Sequence, residues 1–481
     1  MKKIDLPTQL KKDVHLALKH YHKIEEPPDN TLSNLVLVQA TQEEQNNPSK
    51  RFCINHILEE GITQLRFHQA EGAQILRKRF LDGKSIGEVN QEMAFKSTDR
   101  VKHKQSSALM ELAQIIWGLE VAARNNLITT QKSKLFAKGY TELFGIKGLY
   151  QKLFAHLMAE GSPWVITLAG IGGIGKTTLA NFTVRRVIEE LHYHDVVWLK
   201  ISDVADEERP YPPQQIFEKL IAQLCQRMLP ALSNQTSQTE RLVHLQRLLK
   251  SQPFLIIIDD LELKENTAYL IKELVSLAAP SRFLLTSRIQ PAPHAGSQSI
   301  ILPELEEASS LALIRHYASE IGFSDAANAK NEDLLPIYKL VGGNPFSLKH
   351  LVNLALHRPL KSLLDSLSKR PLISGSEMYK HILHETWLSL SDDAKTVLAV
   401  MTLATDGGID PELIAKFSGL SDANLWPAIN ELIGRSLLEV RSSTMWERSY
   451  GIHRLTELFL RSLMNGDNDQ NAENKDGNDD L

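Results

Sequence analysis

Trp164-Val165-Ile166-Thr167-Leu168-Ala169-Gly170-Ile171-Gly172-Gly173-Ile174-Gly175-Lys176-Thr177-Thr178 joins an apolar run to a glycine-rich turn and then to a helical stretch, TTLANFTVRRVIEE. Residues 170–177 fit G-x-x-x-x-G-K-[ST], and the strand before and helix after supply the context that motif requires. The glycines let successive backbone N–H groups curl around a phosphate, and the helix start adds roughly half a positive charge. The pattern predicts a polyphosphate cradle from Gly170, Gly172, Gly173, Ile174, Gly175, Lys176, Thr177 and Thr178. In it Lys176 reaches the outer phosphates and the Thr177 hydroxyl ligates Mg²⁺. The alternative is a plain Gly-rich strand-to-helix turn.

Around this stretch, apolar runs alternate with helical ones: Trp164–Ala169, Val196–Ile201, Phe254–Ile258 and Phe283–Thr286. This alternation predicts a parallel α/β sheet over residues 141–300. The second motif is Phe254-Leu255-Ile256-Ile257-Ile258-Asp259-Asp260, a buried strand ending in two carboxylates. Adjacent acids repel unless a cation lies near. Asp259 is therefore expected to hold the metal and Asp260 to orient or deprotonate a water, with Glu262 a weaker candidate for the second role; the bland reading is a pair of loop-capping acids. The strand Phe283–Thr286 leaves through Ser287 to Arg288, placed either to sense a γ-phosphate or simply to sit at a strand end.

The chain has 481 residues, enough for two to four domains, and its 42% hydrophobic and 23% charged residues are ordinary for a globular protein. Its net charge of -4 decides nothing, because local charge is uneven. The two cysteines, Cys53 and Cys225, lie far apart and read as small buried hydrophobes, with no zinc spacing. MKKIDLPTQLKK has no apolar stretch of a signal peptide, and runs such as Val397–Met401 are too short for a bilayer, so a cytoplasmic protein with no membrane partner is expected.

Residues 1–124 read as all helical, with apolar residues at helical spacing in Leu6–Tyr21 and Cys53–Phe67. Residues 125–140 are expected to be a linker, 301–375 a helical lid, and 376–464 a further helical domain with a hairpin pair, Ser436–Arg441 and Ser449–His453. The tail at 465–481 has six acidic residues and one lysine and should be disordered. His15, His20 and His22 read as a polar helix face, and Trp387 and Trp446 as core aromatics.

Together these motifs resemble the NB-ARC branch of the STAND ATPases, which includes plant disease-resistance proteins and apoptotic protease activators. The resemblance covers about residues 140–464. It implies a P-loop sheet, a helical lid, a winged helix at 376–464, and ATP or ADP with Mg²⁺ as cofactors. Gly343-Asn344-Pro345-Phe346-Ser347-Leu348 resembles the family's Gly-Leu-Pro-Leu-Ala-Leu box, which implies that Pro345 packs on the adenine. Gly451-Ile452-His453-Arg454-Leu455 stands where the family has Met-His-Asp, implying that His453 touches ADP, although Arg454 replaces the acid. The Leu143–Gly145 segment resembles the family's loop at the mouth of the nucleotide pocket. Without the resemblance, Gly342–Pro345 is a helix stop followed by a helix start, and His453 an ordinary histidine.

Near the N-terminus, Ala73–Leu81, Ser85–Met93 and a third helix from Ser97 or Thr98 to Ile116 have a helix-turn-helix look, with Ala94-Phe95-Lys96 as the turn. Ser85 and Glu88 stand at capping-box spacing. Ser97, Thr98, Arg100, Lys102, His103 and Lys104 form the candidate contact to double-stranded DNA, and residues 76–104 carry eight Lys/Arg against four Asp/Glu. The segment resembles the region-four helix-turn-helix of sigma factors, apart from Ala94 in place of the turn glycine. The competing reading is a helical module that binds protein, its basic residues merely solvated. These features, with the family resemblance, predict a nucleotide switch, a slow ATPase, that opens and oligomerises with ATP to control a DNA-binding regulator, or else an antiviral or signalling scaffold. The trigger, protein or small ligand, is not legible.

Overall fold

The computed structural model describes residues 9–23, 31–45, 48–137, 139–200, 212–231, 237–261, 267–288, 290–291, 293–368, 383–384, 386–388, 390–404, 408–434, 437–443, 447–452, 456–457, 459–461 and 463. The chain divides into two compact units that meet at Thr130 and Gln131.

The first unit is helical: α1 (Leu10–Lys19), α2 (Val36–Glu44), α3 (Lys50–His68), α4 (Ala70–Leu76), α5 (Ile86–Glu92) and α6 (Thr98–Ser133). Apolar residues at three- and four-residue spacing bury Leu10, Val14 and Leu18 of α1 against Ile57, Leu58 and Leu65 of α3 and Leu112 and Ile116 of α6. Each such side chain contributes about 1.5–3 kcal/mol by leaving water. Close helix approach needs glycine at Gly61, where a Cβ would come 2.7 Å from the Leu112 Cδ1. Helix α2 has no capping side chain of its own. Its first N–H groups, those of Val36 and Leu37, instead donate to the buried Glu120 carboxylate at 3.2 and 2.9 Å, and Arg124 neutralises that charge.

A smaller core of Ile75, Val89 and Val101 joins α4, α5 and α6. Helix α4 continues into wider π-type turns over Arg77–Leu81, closed by Gly83 at φ 70° and the bond from Lys84 N–H to Lys78 O at 3.0 Å. Ser85 and Glu88 form the expected capping box. The turn that follows bends at Ala94, with φ 52°, and the Ser97 hydroxyl accepts from the Arg100 N–H at 3.4 Å. The third helix does not stop at Ile116. It runs on to Ser133, so residues 125–133 are helical where a linker was expected.

In the second unit, α7 (Lys147–Met158) precedes β1 (Val165–Ala169), α8 (Lys176–Glu189), β2 (Asp195–Lys200), α9 (Pro213–Met228), α10 (Gln238–Ser251), β3 (Phe254–Leu261), α11 (Thr267–Leu277), β4 (Arg282–Ser287) and β5 (Ser297–Ile301). All five strands are parallel in the order β2-β3-β4-β1-β5. Strands β1, β3 and β4 read as continuous apolar runs because both faces are covered by helices. The order places the carboxyl ends of β1, β3 and β4 side by side, where open parallel sheets bind ligands. At the opposite end, the buried Arg282 guanidinium donates to the carbonyls of Pro163, Leu157, Ala159 and Gly161 and to the Tyr193 hydroxyl, and lies over the Trp164 ring. This pins the start of β4 to the loop before β1.

Helices α12 (Glu307–Glu320), α13 (Ser324–Ala327), α14 (Asn331–Val341), α15 (Pro345–His357) and α16 (Leu360–Ser368) share a core that includes Ile314, Tyr317, Ile337, Leu348 and Leu351. A separate core around Val397, Ile429, Leu432 and Tyr450 gathers α17 (Asp392–Val400), α18 (Pro411–Ser418), α19 (Asp422–Gly434) and the antiparallel pair β6 (Glu439–Ser443) and β7 (Arg448–Gly451). The pair lies within two or three residues of the expected hairpin. Leu6, Ser436, Trp446, His453, Arg454 and the acidic tail lie outside the described residues. Cys53 and Cys225 are buried free thiols. Among the described residues no helix is long and apolar enough to cross a membrane.

Candidate nucleotide site

Helix α8 starts at Lys176 and has Gly175 as its N-cap residue, at φ 102°. Gly173 takes φ 72°, and a Cβ there would come 2.6 Å from the Phe346 Cβ, so only glycine allows this turn and its close packing. The loop before α8 thus leads into the N-terminus of a helix of fourteen residues, the kind of element that can hold an anion. Its lysine is 9% exposed and folds back on the loop: Lys176 Nζ donates to the carbonyls of Gly170 at 2.8 Å and Ile171 at 2.9 Å.

Beside the loop, the buried Asp259 carboxylate is the centre of a small network. Its Oδ1 accepts from the Thr177 hydroxyl at 2.9 Å and from the Thr286 hydroxyl at 2.6 Å. Thr286 Oγ1 also accepts the Asp260 N–H at 2.8 Å. That bond holds Asp260 at φ 64°, and the β3–β4 register shifts between Ile258 and Leu261. A positive φ is costly for a residue with a side chain and persists only where the surroundings fix it. Burial and the Asp259 charge push the Asp260 carboxyl up, against the pull of Lys200, Arg288 and Lys176. Lys200 at the end of β2, Arg288 just past β4 and Lys176 at the start of α8 thus all act on one acid.

Residues of the α12–α16 helices reach the same loop. Asn344, fully buried, caps α15 by accepting from Phe346 N–H at 3.0 Å and Ser347 N–H at 3.3 Å. Its Nδ2 donates to the Gly172 carbonyl at 3.0 Å. Pro345 is the first helical residue beyond it. Gly343 presses on the chain at Leu305, where a Cβ would overlap the Leu305 carbonyl, and its N–H donates to Glu304 at 3.1 Å. The loop Leu143–Gly145 also lies against these helices: a Cβ on Gly145 would come 2.9 Å from Leu305 Cδ2, and the Phe144 and His316 rings meet at a tilt, 5.4 Å apart.

Residues 146–320 match the family model for the NB-ARC domain. The chain carries an NB-ARC domain. Disease resistance protein RPP8 of Arabidopsis thaliana is 22% identical over 264 residues, covering 52% of this chain and 28% of that protein. Probable disease resistance protein RF45 of the same plant is 28% identical over 219 residues, covering 44% of this chain and 21% of its own length. The matched stretch thus spans about a quarter of these relatives. A solved STAND protein with a tetratricopeptide repeat sensor from Pyrococcus horikoshii is 19% identical with a TM-score of 0.42, covering 69% of this chain and 44% of that one.

The NB-ARC site brings together the loop from Gly170 to Thr178, Asp259, Asp260, Arg288 and the Asn344–Pro345 helix start. His453 and Glu262 lie outside the described residues. Thr286, Asn344 and Lys200 stand with these residues, although none is a candidate site residue by sequence. Thr286 had a signal, a hydroxyl at the end of an apolar strand beside Asp259 and Asp260. The donor set around Asp259 is all oxygen, which suits a hard divalent ion such as Mg²⁺.

The candidate DNA contacts lie in the other unit. Ser97, Thr98, Arg100, Lys102 and His103 are exposed and Lys104 is half-buried. Several cations of the segment are paired with carboxylates: Lys102 with Asp99 at 3.0 Å, Lys104 with Glu71, and both Lys78 and Lys84 with Glu92. Arg100 and Lys96 make no ion pair among the described residues.

Proposed function

We propose that this protein is a switch of the STAND class, gated by exchange of ADP for ATP with Mg²⁺. The observation that carries the reading is the convergence of Lys176, Thr177, Asp259 and Thr286 at the carboxyl ends of three parallel strands, with Asn344 of the lid bonded to the loop. Thr177 and Asp259 would hold the Mg²⁺, which would screen the phosphates and polarise the terminal one. On binding, Lys176 exchanges the Gly170 and Ile171 carbonyls for phosphate oxygens, a stronger, charge-assisted partner. Arg288 donates to a γ-phosphate when one is present, a charge-assisted contact that ADP does not offer. Asp260, its backbone fixed by Thr286, orients the attacking water in slow hydrolysis that resets the switch.

In this reading the lid and the C-terminal domain, a winged helix, close on ADP through Pro345 and His453. ATP favours an open form that oligomerises in the cytoplasm. Moving the population from mostly closed to mostly open needs about 5 kcal/mol of differential binding.

For the N-terminal helices, the pairing of Lys78, Lys84, Lys102 and Lys104 with carboxylates supports a protein-binding effector more than a reader of double-stranded DNA. The disease-resistance relatives point the same way and suggest a signalling or defence scaffold. DNA-binding transcription regulation is the second reading. It rests on the α4–α5–α6 core and the exposed Arg100.

Two measurements on the full chain test the proposal. Particle mass with ADP and with a non-hydrolysable ATP analogue should differ, and an identical monomer in both would remove the switch. Salt-titrated binding to random-sequence duplex DNA should be negligible even at low salt. Tight binding that falls steeply with salt would instead establish the DNA reading.

A further inference from the structure

The segment after Thr130 is docked, not slack. Gln131 is 1% exposed and its Nε2 donates to the His194 carbonyl at 3.0 Å. Lys132 pairs with Glu189 at 2.6 Å, and Lys134 with Asp195 at 2.7 Å. Phe136 ends this run and is held at its backbone and its ring. Its carbonyl accepts from Arg185 Nη2 at 2.7 Å and Asn181 Nδ2 at 3.3 Å, both on α8, the helix whose first residue is Lys176. Its ring meets the Trp198 ring edge-on at 5.7 Å, and Lys200 Nζ lies 5.5 Å from its centroid.

The third contact comes from the C-terminal ribbon. The Arg441 guanidinium lies 6.0 Å from the same Phe136 centroid. Arg441 Nη2 also donates to the Ile452 carbonyl at 2.9 Å, and its side chain lies across Gly451. A ring that merely filled core would sit among apolar neighbours. Phe136 is only half-buried and takes cations from two elements far apart in sequence.

We propose that Phe136 is an autoinhibitory clamp, tying the C-terminal ribbon, through Arg441, to the phosphate-loop helix and the β2 end of the nucleotide sheet. The ribbon cannot swing away without giving up this ring, and α8 cannot shift without moving the segment that follows α6. The clamp rests on the nucleotide-switch reading and adds to it a contact that keeps the closed form closed. A cation–ring contact of this kind changes an opening equilibrium by roughly three- to tenfold.

The test uses the full chain loaded with a fluorescent ADP analogue and chased with unlabelled ADP. Phe136→Leu keeps the apolar volume and removes the aromatic face, and Arg441→Gln removes the cation. Each should speed dissociation about fivefold. Phe136→Tyr should behave as the parent. The double variant Phe136→Leu/Arg441→Gln should be no faster than Phe136→Leu, because the two residues share one contact. Should Phe136→Leu prove unstable on melting, Arg441→Gln alone decides. Parental rates in the variants, or effects that multiply in the double variant, would overturn the clamp. A parent that never retains the analogue would overturn the nucleotide reading and the clamp with it.

Discussion

The Asn344 side-chain amide donates to the Gly172 carbonyl across 3.0 Å while its oxygen caps the helix that Asn344 itself begins. One buried side chain therefore fixes both the start of α15 and the shape of the phosphate loop. Asn344→Asp separates the two jobs, because a carboxylate still caps but can no longer donate, and it sets a negative charge beside the phosphates. It should lower the melting temperature, because a buried carboxylate oxygen then faces the Gly172 carbonyl, and weaken ADP binding of the folded protein at least tenfold, on the order of 1.4 kcal/mol. Isothermal calorimetry and a melting curve measure both.

Thr286 bridges the two acids, donating to Asp259 and accepting from the Asp260 N–H. Thr286→Val keeps the shape and removes both bonds, so Asp260 loses the partner that holds it at positive φ. Single-turnover ATP hydrolysis should fall by roughly a hundredfold while nucleotide affinity changes by less than about threefold. Equal losses in both would mean that Thr286 shapes the pocket and not the reaction.

Arg282 satisfies four carbonyls and a hydroxyl while almost wholly buried. Lysine cannot reproduce that fork. Arg282→Lys should destabilise the protein by about 2–4 kcal/mol without changing nucleotide affinity once folded, read by denaturant unfolding and by binding at low denaturant.

Burial and neighbouring cations hold His156 and His192 below the ordinary value of 6.5. A lowered folded pKa means that the unfolded chain takes up protons first as pH drops. The stabilisation is therefore complete above pH 6.5 and is lost as pH falls through the folded values. The denaturation midpoint should decrease from pH 8 to pH 5.5, and His192→Gln should flatten that decrease.

Much of the nucleotide sheet was legible because its strands are buried on both faces, which forces unbroken apolar runs at 165–169, 254–258 and 283–285. Strand β5 was not, since it sits at the sheet edge and buries only Ile300 in the run Ser297-Gln298-Ser299-Ile300-Ile301. The end of α6 was misjudged for a related reason. Asn125, Asn126, Thr129 and Thr130 are weak helix formers, and the helix reaches Ser133 with Gln131 and Lys132 anchored on His194 and Glu189. Gly342–Pro345 reads as a helix stop followed by a helix start, which it is, but no local pattern could show the bond from the Asn344 side chain to a residue 172 positions earlier.

The most direct test is equilibrium binding of ADP and ATP, with Mg²⁺, to the parent and to Lys176→Ala. Removing the ammonium that now folds onto Gly170 and Ile171 should weaken nucleotide binding by at least a hundredfold while the fold melts as before. Lys176→Ala protein that holds nucleotide as tightly as the parent would contradict the account.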